Sequence, residues 1–197
     1  MTLQALLARN GWLPTDTLTL NRVHEGNWQT IVITADKAQA VVDKHLQGQD
    51  AWYSVCPLRS DFQPFVVDDN GKRRRTRGTE RDVVGLLALW TDIDVKTGGM
   101  AEVDKALDLI NRLSDIAGSR PVAVVYSGHG LHPYWRLAEP MRWQPGDIMA
   151  VDEAKAIVTE WGRRVQTIAD SLGGSVDSVH DLARVLRVPG TQNRKDD

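Results

Sequence analysis

The sequence predicts a single α+β domain, and three observations carry that expectation. The chain has 197 residues, of which 42% are hydrophobic and 25% charged, ordinary globular proportions that suit one large core or two very small ones. Its punctuation alternates extended with helical segments throughout. No internal repeat or low-complexity linker interrupts it. At this length folding buries about 70% of the extended chain's surface. Collagen-like, disordered and disulfide-stapled classes are excluded, since the one cysteine, Cys56, can form neither an intrachain disulfide nor a multi-cysteine zinc site. The start MTLQALLARNGW lacks a basic flank before a long apolar core, and no 18-residue apolar run follows. The expectation is a soluble, cytoplasmic protein with no membrane partner.

Taken in order, Q-T-I-V-I-T at 29 to 34 favours a strand, and Ala38, Val41, Val42 and His45 fall at helical spacing within 35 to 47. A further strand is expected near 51 to 57. Residues 83 to 95 (V-V-G-L-L-A-L-W-T-D-I-D-V) run apolar into two aspartates, as a buried central strand does, and Thr97, Gly98 and Gly99 stop it. Val103, Ala106, Leu107, Ile110 and Leu113 mark one stripe of a helix closed near Gly118. A hairpin is expected from P-V-A-V-V-Y-S at 121 to 127, G-H-G, and L-H-P-Y-W-R-L. The longest helix runs through Val151, Ala154, Ile157, Val158, Trp161, Val165, Ile168 and Leu172, and Gly173 and Gly174 end it. A last apolar run is turned by Pro189 and Gly190.

Net charge is −2, which does not announce a nucleic-acid binder. Positive charge is nevertheless gathered in two places, K-R-R-R-T-R at 72 to 77 and the segment holding Arg184, Arg187, Arg194 and Lys195. Either could face phosphates, or form a solvated loop and a trailing tail.

Asp92 and Asp94, two apart on a strand, leave the same face, so two like charges stand side by side. Hard Mg²⁺ or Mn²⁺ shared by paired carboxylates relieves that repulsion at phosphoryl-transfer sites; a solvated strand end is the plain alternative. On the hairpin, His132, Tyr134 and Arg136 share one face, and Leu131, Trp135 and Leu137 the other. His132 could donate to a phosphate oxygen or be structural, and Gly128 and Gly130 permit close approach. His129 and His132 fall on opposite faces, against a metal pair. Asp177 or Asp181 could add a third carboxylate. Arg184 and Arg187 could neutralise a triphosphate, or the segment could simply be a helix with acid near its start and base near its end.

The ordered trio D-I-D, S-G-H-G-L-H-P-Y-W and D-L-A-R-V-L-R-V-P-G-T-Q-N-R-K resembles the archaeo-eukaryotic primase (AEP) superfamily, particularly primase-polymerase domains of plasmids and phages. The resemblance spans roughly residues 80 to 195 and includes R-G-T-E-R-D-V-V before the aspartate strand. It implies a primase-polymerase fold in which an RNA-recognition-like palm sheet (81–197) packs with an N-terminal α/β unit (1–80), with nucleotide and template in the cleft between them. It implies Asp92 and Asp94 as metal ligands, with Asp177 preferred to Asp181 as the third. His132 becomes the nucleotide-contacting histidine of a Ser-then-His motif. Ser127, Arg184, Arg187 and Lys195 become nucleotide-binding; Tyr134 or Trp90 could stack near a base or sugar, although most of the seven tryptophans are expected in core and rim. Two Mg²⁺ or Mn²⁺ ions are expected and no zinc.

On that reading Lys72, Arg73, Arg74, Arg75 and Arg77 form a mobile loop on template phosphates. The function is template-directed nucleotidyl transfer on single-stranded DNA from NTP or dNTP substrates, as DNA primase, DNA polymerase or both. The chain is expected to be part of a larger replication protein, with a helicase domain or protein as a further partner, since it has no P-loop of its own. Two competing readings are a replication-initiator nickase using His129, His132 and Tyr134, and a non-catalytic single-strand-binding module. In the second, the D-I-D pair would repel the DNA backbone without evident gain.

Overall fold

The computed structural model describes residues 1–67, 69–178 and 180–192. Helix α1 (Leu3–Arg9) starts where the Thr2 hydroxyl accepts from the Ala5 amide, and it buries Leu3, Leu6 and Leu7. Strands β1 (Thr17–His24) and β2 (Asn27–Thr34) pair antiparallel over their whole length. Glu25 and Gly26, both at positive φ (50° and 73°), form the two-residue turn that the right-handed twist of such a pair requires. Helix α2 (Ala35–Val41) runs on into a π-helical turn at Val42–Leu46. Strand β3 (Ala51–Ser54) then adds to β1.

The basic run is not a loop. Arg73–Arg75 form strand β5, paired with β4 (Phe65–Val67) in a two-stranded hairpin. The Arg73 guanidinium lies 3.7 Å from the centre of the Phe65 ring, and Arg75 Nη1 donates to the Thr30 carbonyl of β2. Cation–π contact and cross-strand bonding give the hairpin an order that a charge run alone does not suggest.

A second sheet is built around the long strand β9 (Gly130–Arg142). Strands β6 (Gly85–Trp90) and β7 (Ile93–Asp94) lie along one edge of it, and β8 (Ala123–Tyr126) along the other. The single apolar strand expected over 83–95 is therefore interrupted at Thr91 and Asp92. One face of this sheet packs on helices α3 (Val103–Ala117) and α4 (Ile148–Ser171), through Ile93, Leu109, Leu113, Trp135, Trp161 and Val165. Trp135 and Trp161 meet edge to face at 5.0 Å, and Trp161 Nε1 donates to the Trp90 carbonyl. Gly118 ends α3 in the left-handed conformation, and the Asp147 side chain caps α4 by accepting from Ala150. The opposite face of the sheet contributes Trp90, Val125 and Tyr134 to a core shared with Leu18, Leu20, Tyr53 and Leu186.

The last described strand, β10 (Val185–Arg187), pairs with β3, giving the first sheet the order β10-β3-β1-β2. A division at residue 80 into an N-terminal unit and a palm therefore does not divide the sheets, because the C-terminal part supplies an edge of the first. Among the described residues no helix is long and apolar enough to cross a membrane.

Candidate active site

Strand register assembles the site. Ile93 opposes Leu131 and Trp90 opposes Tyr134, so Asp92 stands across from His132, their Oδ1 and Nε2 atoms 3.0 Å apart. Asp94 opposes Gly130, and beyond Gly130 the Ser127 amide donates to its carbonyl. A Cβ at Gly130 would run into the Ile93 carbonyl and the Asp94 backbone. The absence of a side chain there lets the D-I-D segment lie close against β9. The facing wall comes from β3 and β10. Together Trp52, Asp92, Asp94, Ser127, His132, Val185, Leu186 and Arg187 line a small pocket of about 80 Å³.

Arg187 is 5% exposed and is held from three sides. It pairs with Asp50, donates to the Gln192 carbonyl and lies 4.6 Å from the centre of the Trp52 ring. Trp52 is in turn stacked on Trp28 at 5.5 Å. An arginine fixed in this way presents its charge to the pocket with little rotamer entropy left to lose.

Asp177 lies outside this pocket, on the far side of a turn at Lys96–Met100. The Lys96 amide donates to the Met100 carbonyl, the Gly99 amide to the Lys96 carbonyl, and the Ser175 amide and hydroxyl to Gly99 and Gly98. Those bonds dock the 173–177 segment beside the D-I-D strand. Lys96 follows Asp94 by two and forms an ion pair with it. The hydrogen bond and charge of Asp94 raise the Lys96 pKa, with Asp177 and Asp92 adding to the effect. All three carboxylates thus act on one ammonium.

The remaining expected residues are placed as follows. Asp181 pairs with Arg184 at 2.7 Å and with Arg77 at 4.0 Å. Arg184 also donates to the Ser178 carbonyl, and neither Asp181 nor Arg184 lines the pocket. Arg77, expected on template phosphates, lies within ion-pair distance of Asp181. Tyr134 and Trp90, expected to stack on base or sugar, are each 1% exposed and belong to the core. Burial pushes the Tyr134 phenol above its usual range. Lys195 and Arg194 lie outside the described residues.

Trp52 and Lys96 were not anticipated. Lys96 shares the alternation that singled out Asp92 and Asp94, so its signal was present. Trp52 reaches the pocket only through the pairing of β3 with β10, which no local pattern announces.

Among the described residues no group of three or more His, Cys, Asp or Glu side chains is arranged to hold a metal. The donor chemistry nevertheless fits a hard divalent cation. Asp92 and Asp94 put two carboxylates on one wall, and Mg²⁺ commonly takes one or two carboxylates with substrate phosphates and water completing its shell.

No family model and no curated protein matches the sequence. The fold does match a solved structure, the AEP domain of the primase-polymerase of cyanophage S-2L. The TM-score is 0.52 at 14% identity, covering 98% of this chain and 83% of that one. The chain has the AEP primase-polymerase fold.

Proposed function

We propose that this chain carries out template-directed, metal-dependent nucleotidyl transfer on single-stranded DNA, with nucleoside triphosphates as substrates. The observation that carries the reading is the convergence of Asp92, Asp94, Ser127, His132 and Arg187 on one pocket between two sheets, within a fold shared with a primase-polymerase domain. Mg²⁺ or Mn²⁺ held by Asp92 and Asp94, with Asp177 nearby, would neutralise the triphosphate and lower the pKa of the attacking 3′-hydroxyl.

The chain's own groups do the rest. His132 orients Asp92 across the strand pair. Arg187 stabilises charge on the phosphates as the hydroxyl attacks the α-phosphorus in line and pyrophosphate leaves, and the Ser127 hydroxyl donates to a phosphate oxygen. Trp52, braced by Trp28, walls the base or sugar.

The nickase reading takes Tyr134 as the residue that joins DNA, and that side chain is 1% exposed. The test is labelled-nucleotide incorporation on single-stranded DNA, with and without primer, in Mg²⁺ and in Mn²⁺. Incorporation is expected to fall at least about 100-fold in Asp92→Ala and Asp94→Ala, with a cooperative thermal unfolding transition retained, so that the loss reports on the site rather than on the fold. Absence of incorporation under every condition overturns the reading. A covalent protein–DNA adduct would return it to the nickase.

A further inference from the structure

The ammonium of Lys96 sits where the negative charge of the site converges. Asp92 and Asp94 line one pocket, and Lys96 stands two residues further on, at the bend where the extended chain turns. Lys96 pairs directly with Asp94. Its backbone is pinned by bonds to Met100 and Gly99, and the parallel bridge between Val95 and Met100 closes the same turn. The ammonium is therefore delivered from a fixed origin. Ser175 bonds to that turn from the other side, which brings Asp177 into the field of the same ammonium.

We propose that Lys96 is a built-in placeholder cation: it neutralises the carboxylates when no divalent ion is bound and must leave Asp94 for an ion to enter. The inference rests on the reading of Asp92 and Asp94 as metal ligands. Lys96 is a positioning residue, acting through Asp94. Two physical consequences follow. The like charges that would otherwise repel across the D-I-D pair are balanced in the metal-free protein, so the pocket keeps its shape before substrate arrives. Divalent-ion affinity is also lowered by competition with an ammonium that cannot diffuse away. That competition weakens as salt screens the partly exposed pair.

The experiment uses Mn²⁺ alone, counted by electron paramagnetic resonance on the purified chain without nucleotide or DNA. Lys96→Met, which removes the charge and retains the chain length, is expected to bind Mn²⁺ about two- to fivefold more tightly than wild type at low salt, with the difference shrinking at high salt. Lys96→Arg, which keeps the charge, is expected to stay near wild type and guards against a loss of fold. Affinity in Lys96→Met that is equal to or weaker than wild type overturns the placeholder role while leaving the metal site intact. If Mn²⁺ binding is absent, or persists unchanged in Asp92→Ala and Asp94→Ala, the metal reading itself fails and the placeholder role falls with it.

Discussion

Asp92 and His132 face each other directly across the D-I-D segment and β9, with Oδ1 and Nε2 3.0 Å apart. The imidazole is 4% exposed, and its Nδ1 has no hydrogen-bond partner among the described residues. The sequence reading has His132 contacting nucleotide; the geometry gives it a hold on a carboxylate as well.

Substitution at His132 therefore acts on two functions. His132→Ala is expected to weaken nucleotide binding about ten- to hundredfold, the worth of a hydrogen bond to a charged acceptor, and to raise the metal concentration needed for half-maximal incorporation. DNA binding should change less. Nucleotide titration of wild type and variant at several Mn²⁺ concentrations checks this, and equal affinities would make His132 structural only.

Gly130 tests the floor of the pocket. Because a Cβ there meets backbone rather than a yielding side chain, Gly130→Ala is expected to cost about 1 to 3 kcal/mol and to reduce incorporation by pushing the D-I-D strand off register. Urea denaturation with an incorporation assay reads both. A fully stable and active variant would mean that the two strands can part without consequence.

The basic hairpin should appear in the salt dependence of single-strand binding. Each phosphate neutralised contributes about −0.7 to the log–log slope, so three to five contacts give about −2 to −3.5. Replacing Lys72, Arg73, Arg74, Arg75 and Arg77 together with serine should remove that contribution. The lower end is favoured, because Arg77 is engaged by Asp181 and Arg75 by the Thr30 carbonyl. An unchanged slope would assign the hairpin no part in DNA binding.

His180 gives the protein an acid-sensitive point. Burial, and then the neighbouring charge of Arg184, hold its pKa down to about 4, against about 6.5 in an unfolded chain. The unfolded state binds the extra proton first, so stability is complete above about pH 6.5 and is lost as pH falls toward 4. The loss should reach as much as about 3 kcal/mol. His180→Gln should flatten that part of the profile, as measured by urea denaturation at pH 7 and pH 4.5.

Local patterns revealed much of this molecule. The stripe on α4 was legible from its spacing, and that on α3 in part: Ala106, Ile110 and Leu113 are buried as expected, whereas Val103 and Leu107 are exposed and Leu109 takes the inward position. The hairpin of β8 and β9 was legible because Gly128 and Gly130 interrupt two apolar strands. The same-face relation of Asp92 and Asp94 followed from strand geometry alone. What escaped depends on contacts distant in sequence. Nothing near Trp52 says that β10 will lie beside it, and nothing near Asp177 says that Ser175 will bond to Gly98 and Gly99. The arginine run read as a mobile loop on template phosphates because its charge was visible and its pairing with the Phe65 strand was not.

The pairing of Tyr53 with Leu186, 133 residues apart in sequence, also orders events in time. Until β10 has been synthesised, β3 offers an unpaired edge, the kind of surface on which nascent chains associate wrongly. The wall that carries Trp52 and Arg187 cannot close before then. Such long-range pairing makes for slow folding, and the first sheet is complete only once the chain has been made through β10. The pocket would be among the last features to mature, and a nascent chain stalled before Val185 would display the aspartates without the arginine that lines the pocket with them.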